Sequence, residues 1–353
     1  MSPVIYKIDE SLPLCNRLFC RNRSSRTLFT YMSENVQGTF VSEKISKIRW
    51  KHEDFEEANN FLTGSWDDPV RLSPVNPFSS YAHKYSETSE IDFISRDFFV
   101  ASSSIVSFMN RVESDIIYQL SYIPLIYSYR KSSNYASCTA LSTFEQDIVS
   151  VGEDGKINLL TYLVQHPFHK CLICFIDEAD SCSIYCVDFL RHNEILTGNL
   201  RGHMKVWDLR SDQDLPATTF MLSDQTKVRV TEATSIAHHP TQRHIVVAGG
   251  GDGSLTVWDL RHNTYPMSQL NAHAKAVSEI LFHPDRPENL FTCSTSGELW
   301  HWNNAQHSKL NLVNVMSLCS AMHKPINSID INRSTLLFGC DNEAMYIIRN
   351  ITL

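Results

Sequence analysis

Residues 244–262, HIVVAGGGDGSLTVWDLRH, and residues 289–304, NLFTCSTSGELWHWNN, decide how this chain folds, because each reads strand, tight turn, strand. In the first, Ile245 to Ala248 is a β-branched run, Gly249 to Gly253 turns, and Ser254 to Leu260 extends again, with Asp252-Gly253 suited to a two-residue hairpin. The second strand puts Leu255 and Val257 on one face and Thr256, Trp258 and Leu260 on the other, so it must be covered on both sides. A hairpin cannot cover itself. A stack of similar sheets can, so the chain should hold further copies.

The same pattern recurs on either side of this pair. Upstream, the strand-rich stretches run from Lys44 to Leu72, Ile91 to Tyr127, Thr139 to Ile176 and Ile184 to Leu222; downstream, they run from Val277 to Val315 and Ile326 to Ile348. An apolar or aromatic residue stands five positions after each turn: Leu160 after Gly155, Trp207 after Gly202, Trp258 after Gly253, Trp302 after Gly297 and Ile348 after Glu343. The last copy has room for three strands only, while Thr39 to Ser42 precedes the first copy without a sheet of its own. Pairing that segment with the outer edge of the last sheet would close a ring and remove an open edge. Each copy then takes about 45 residues, within the ~40–45 typical of WD-type blades.

The VWDLR at 206–210 and again at 257–261 resembles the WD repeat, whose fold is a β-propeller. The expectation is therefore an all-β, seven-bladed WD-repeat β-propeller over residues 39–353, its last blade closed by an N-terminal strand. In that family a His, a Ser or Thr, a turn Asp and a Trp form a buried hydrogen-bond network. Here the structural positions are Asp154, Trp207, Asp252, Trp258, His273 and Trp302, but Arg201 and Ser296 stand where an Asp is expected. The blades read as degenerate, relying on packing between sheets more than on a satisfied network.

Composition narrows the function. Of 353 residues, 42% are hydrophobic, and 31 basic against 39 acidic residues leave a net charge of −8 with no Lys/Arg-rich block in the body, so direct nucleic-acid binding is not expected. No apolar run approaches the ~20 residues of a membrane helix. The ten cysteines lie mostly in apolar strands, as reduced thiols do in the cytosol or nucleus. Residues 1–38 read as a disordered extension. Ser11 to Ser33 is free of acids and carries Arg17, Arg21, Arg23 and Arg26, and Met32 stands just before the first strand as an alternative start.

No catalytic residue, cofactor or metal is expected. Cys171 and Cys174 have zinc-ligand spacing but lie in a strand, where i and i+3 point to opposite faces, and no second ligand pair accompanies them. GGGDGS at 249–254 lacks the Lys of a phosphate-binding loop and leads into a strand. His238-His239-Pro240 and His283-Pro284 follow inner strands and read as loop starts. A partner surface is read at Trp66, Asp67, Asp68, Glu153 and Arg201, on the turns of one face.

The segments FVSEKISKIRW (40–50), FLTGSWDD (61–68), IVSVGEDGKINL (148–159), EILTGNLRGHMKVWDLR (194–210), LFHPDRPENLFTCSTSGELWHW (281–302) and GCDNEAMYIIRN (339–350) resemble the family of the forty-three-kilodalton WD-repeat nucleoporin. This resemblance implies a scaffold subunit of the Y-shaped outer ring of the nuclear pore. Such a subunit is monomeric within a hetero-oligomeric complex, docked near the α-helical short-arm nucleoporin. It also implies support of pore assembly and of protein and mRNA transport, with a role at the mitotic kinetochore. Twelve glycines and a lone Phe338-Gly339 agree with scaffold rather than FG-tract channel filler. Two other readings use the same residues: a ubiquitin-ligase substrate receptor presenting Arg210 and Arg261, and a histone or peptide reader with an acidic or aromatic top face.

Overall fold

The computed structural model describes residues 137–161, 172–211, 215–222, 230–262, 264–303, 314–319, 322 and 324–353, and before them mainly 36–40, 44–50, 60–65 and the backbone of short strands up to residue 124. The strands form four-stranded antiparallel sheets in chain order, named here by letter. Sheet A runs from Ile45–Trp50 to Tyr81–Ala82, B from Thr88–Ile94 to Ile116–Pro124 and C from Cys138–Phe144 to Leu172–Ile176. Sheet D runs from Ile184–Arg191 to Thr218–Met221, E from Ala233–His238 to Ser268–Asn271 and F from Val277–Phe282 to Asn314–Cys319. The last, G, takes Ile326–Asn332, Thr335–Cys340 and Ala344–Ile348, with Val36–Phe40 and then the two-residue strand Ile5–Tyr6 added at its outer edge.

The fold is an all-β propeller. Of the seven blades expected, five, sheets C to G, are defined down to their side chains, so at that level the count is five rather than seven. Sheets A and B are described mainly by their backbone pairing.

Strands buried on both faces explain why these sheets stack. All six residues of Ser254–Asp259 are buried. Leu255 and Val257 pack with Val277, Ile280 and Leu290 of sheet F, whereas Trp258 packs with Cys186, Leu196 and Phe220 of sheet D. Trp207 likewise joins Val149 and Val151 of sheet C, and Trp302 joins Val247 and Val257 of sheet E. Each WD tryptophan therefore fills the seam with the preceding sheet. The seams continue from F to G through Phe291, Ile329 and Phe338, and from G to A through Leu337, Met345 and Ile347 against Ile45, Ile48 and Phe61.

Sheet G completes itself from the far end of the chain. Val36–Phe40 pairs antiparallel with Ala344–Ile348, from Val36 opposite Ile348 to Phe40 opposite Ala344. The expectation of an added N-terminal strand had placed it at Thr39 to Ser42. The strand lies further upstream because all five residues of Ala344–Ile348 take a partner, and the folded part therefore begins before the residue 38/39 boundary.

Candidate functional site

In sheets C to F, the turn between the second and third strands and the link to the next sheet lie at the same end of the propeller. The backbone there is tightly determined. Gly155, Gly202, Gly253 and Gly297 have φ from 72° to 84°, a region that favours glycine. Each turn is crossed by the following link, so a Cβ on these glycines would lie 2.3 Å from Asp180 O, 2.2 Å from Thr231 O, 2.1 Å from His273 O and 1.8 Å from Met322 O. Glu343 takes the corresponding conformation in sheet G, with φ of 62°.

The amide after the turn is capped by different side chains in different sheets. Asp154 accepts from Lys156 N at 3.2 Å and Asp252 from Ser254 N at 3.0 Å. In sheet D, where Arg201 replaces the Asp, Asn199 Oδ1 accepts from Arg201 N at 2.9 Å and His203 N at 2.8 Å. Asn342 serves Ala344 N at 3.2 Å. These are Asx turns built on whichever short polar residue the geometry reaches.

Below the turns, each WD indole has a hydroxyl partner. Trp207 Nε1 donates to Thr197 Oγ1 at 3.0 Å, and Trp302 Nε1 to Thr292 Oγ1 at 2.9 Å. Sheet E has Ala248 where those threonines stand, and Thr256, paired opposite it, accepts from Trp258 Nε1 at 3.1 Å and donates to Ala248 O. Sheet F has the fullest set. His273 Nε2 lies 2.8 Å from Thr292 Oγ1, and His273 Nδ1 lies 3.3 Å from Glu298 Oε2, which also accepts from Ser296 Oγ at 2.8 Å.

The degenerate reading is therefore corrected for sheet F alone, since sheets D and E keep only the indole–hydroxyl pair and the capped turn. The carboxylate absent at Ser296 is supplied by Glu298, two residues on, because the turn brings both beside the same imidazole. Burial lowers the pKa of His273, which keeps it neutral between donor and acceptor.

The inner strands line a cavity of about 420 Å³. On its wall, buried Glu279 of sheet F accepts from Arg49 Nη2 at 2.6 Å and Lys47 Nζ at 3.0 Å, both on sheet A, and from Ser328 Oγ at 2.8 Å and Ile329 N at 2.7 Å on sheet G. One carboxylate thus joins three sheets. Burial alone would raise its pKa, but the two cations and the hydrogen bonds outweigh it and hold it at about 2. Across the cavity, His238 Nδ1 lies 2.7 Å from Asp188 Oδ2, and that carboxylate raises the histidine pKa.

His239 and His283 are buried, and each accepts amide hydrogens from its own turn at Nδ1. His283 Nε2 also donates to Arg333 O at 2.7 Å, tying F to G. Only the His-Pro pattern pointed to these loops in the sequence. Nothing there distinguished Glu279, Lys47 or Arg49 from surface charges.

Of the sites read from sequence, Trp207, Trp258, Trp302 and His273 are buried and Asp154 and Asp252 hold turns. Glu153, half-buried, and Arg201, exposed, share the turn-and-link face. Trp66, Asp67 and Asp68 lie outside the described residues. Cys174 lies in the strand Leu172–Ile176 as expected.

This combination of stacked four-stranded sheets, crossed glycine turns and Thr-bonded tryptophans defines a WD-repeat β-propeller. Residues 131–348 match the family model described as Nucleolar protein 10-like, N-terminal domain. The chain is 30% identical to human nucleoporin Nup43 over 90% of its own length and 99% of that protein, and 29% identical to the mouse protein over the same shares. It is 30% identical to the nuclear pore complex protein nup43 of Dictyostelium discoideum over 46% of this chain and 36% of that one. A solved chain from the crystal structure of a mitotic checkpoint complex superposes with a TM-score of 0.69 at 13% identity, covering 96% of this chain and 100% of that one, which shows the fold alone.

The chain belongs to the Nup43 family of WD-repeat nucleoporins, with its propeller domain of the Nucleolar protein 10-like type. Its place is the nuclear pore, in the nuclear envelope.

Proposed function

We propose that the chain is a non-enzymatic scaffold subunit of the outer ring of the nuclear pore, a closed seven-bladed propeller that docks by its surface onto α-helical nucleoporins, the short-arm subunit first among them. The observation that carries this reading is the match along 99% of human Nup43 and 90% of this chain. The seven-blade count is supported by the inner strand of each sheet lying beside that of the next, with Ile326–Asn332 beside Ile45–Trp50. Support of pore assembly and of protein and mRNA transport follows from such a place, as does a monomeric state within the hetero-oligomer.

The ubiquitin-ligase reading is less favoured because both arginines it needs are engaged within their own sheets. Arg210 Nη2 binds Asp208 at 2.9 Å and Arg261 Nη2 binds Asp259 at 2.7 Å. Affinity purification of the tagged full chain from its own cells separates the two. Recovery of helical outer-ring nucleoporins is expected, and recovery of a cullin adaptor in their place would overturn the scaffold reading.

A further inference from the structure

Ser11 to Ser33 lies outside the propeller and differs from it in charge. Its cations are all arginine, at Arg17, Arg21, Arg23 and Arg26, and it holds no acidic residue. The whole chain carries −8, so with +4 in this stretch the remaining residues carry −12. The match to human Nup43 takes in 99% of that protein but 90% of this chain, and the segments that carry it begin at Phe40. The stretch is therefore an addition to the family's propeller.

The backbone separates its charges from its bulky apolar residues. Leu18–Phe19 pairs antiparallel with Leu28–Phe29, Leu18 opposite Phe29 and Phe19 opposite Leu28. Arg21, Arg23 and Arg26 fall in the loop between these strands. Both ends of the stretch are fastened to one rim, because Ile5–Tyr6 pairs with Gly38 and Thr39 while Val36–Phe40 pairs with Ala344–Ile348. Only Thr30 to Asn35 separates the hairpin from the closing strand, a reach of about 25 Å at most. The hairpin is thus carried at the outer edge of sheet G.

We propose that residues 11–33 are a membrane-surface contact, in which this Arg-rich hairpin adheres to an anionic bilayer such as the one around the pore. A planar guanidinium takes a lipid phosphate through two parallel hydrogen bonds, and neighbouring Leu and Phe residues enter the interface, so the two attractions add. The acidic remainder is repelled by the same surface, which turns the hairpin and not the propeller toward the bilayer. Single-stranded RNA also attracts arginine, but Leu12, Leu14, Leu18 and Leu28 favour lipid, since aliphatic side chains offer no face for base stacking. The contact goes beyond the scaffold reading: protein contacts place the propeller in the pore, and the hairpin adds adhesion to the membrane beside it.

The test is flotation of the purified full chain with vesicles of phosphatidylcholine, alone or mixed with phosphatidylserine, at low and moderate salt. Flotation with the mixed vesicles only is expected, weakening as salt rises. R21E/R23E/R26E is expected to weaken binding by ~10-fold or more, whereas R21K/R23K/R26K keeps most of it. L18S/L28S weakens binding at unchanged charge. The chain lacking residues 1–31 keeps the closing strand and is expected to melt as the full chain does without floating.

Undiminished flotation of R21E/R23E/R26E or of the chain lacking residues 1–31 would overturn the proposal. So would equal flotation with both vesicle types, or binding of an unstructured RNA oligonucleotide with no flotation at all. Each of these results leaves the scaffold reading standing, because affinity purification tests that separately.

Discussion

Glu279 places a negative charge on the inner wall of the propeller, where it holds together sheets that are far apart in sequence. Its pKa lies at about 2 rather than the usual 4.5. The sign follows from linkage: a carboxylate depressed on folding contributes stability that is present above about pH 4.5 and is lost as pH falls towards 2. The gap corresponds to roughly 3 kcal/mol. Replacing Glu279 with Gln removes the carboxylate that Arg49 and Lys47 share on this wall and is expected to cost about 3–5 kcal/mol at neutral pH. Urea melts read this out, and the deficit should narrow below pH 4.5; a deficit that is constant down to pH 2 would contradict the assignment.

Thr292 offers a second test at the same scale, since it serves both Trp302 and His273 whereas Thr256 serves Trp258 and its own sheet. Thr292→Val should destabilise by about 2–4 kcal/mol, and Thr256→Val by about half as much, from the number of buried groups left unpaired. Denaturant midpoints compare the two. The tryptophans were legible in sequence because a large aromatic recurred at a fixed distance from each turn. Glu298 and Glu279 were not, because their roles depend on which neighbours the fold brings to them, and a lone glutamate carries no spacing signal.

At the scale of the elements, the turn glycines are constrained by the link that passes over them more than by the hairpin itself. Gly297→Ala would put a Cβ in a left-handed conformation 1.8 Å from Met322 O, and both the turn and the link would have to move. Gly251→Ala meets its nearest atom, Glu232 Oε2, at 3.0 Å with no positive φ, and that flexible carboxylate can yield. Thermal melts are expected to show a loss for Gly297→Ala several times that for Gly251→Ala. Equal losses would mean that the crossing link does not hold the turn.

Strand positions within the sheets were read well, since alternation and Gly-containing turns are local signals. The exact position of the closing strand was not, because its register is set by Ala344–Ile348 at the other end of the chain. The substitutions of Arg201 and Ser296 for the turn Asp looked like losses. They are compensated by Asn199 and Glu298, neighbours in space that stand at other turn positions.

For the whole molecule, closure ties the N-terminal strand to the stability of everything after it. Removing residues 1–31 leaves Val36–Phe40 in place and is expected to preserve a single cooperative melt. Removing residues 1–43 strips Val36–Phe40 from sheet G, exposes the edge of Ala344–Ile348, and is expected to lower Tm by several degrees. The propeller class was legible because repetition is visible along a single sequence. Which surface a rigid ring offers to its partners was not, since exposed turns obey no periodicity.

A closed ring with a fixed place in the nuclear pore gives a pattern that imaging reads at once. The full chain, expressed with a fluorescent tag from its own locus, is predicted to give a continuous nuclear rim. The form lacking residues 1–31 should do the same, and the form lacking 1–43 should lose the rim. A full-length chain spread evenly through nucleus and cytoplasm, with no rim, would mean that the propeller has no fixed place in the pore.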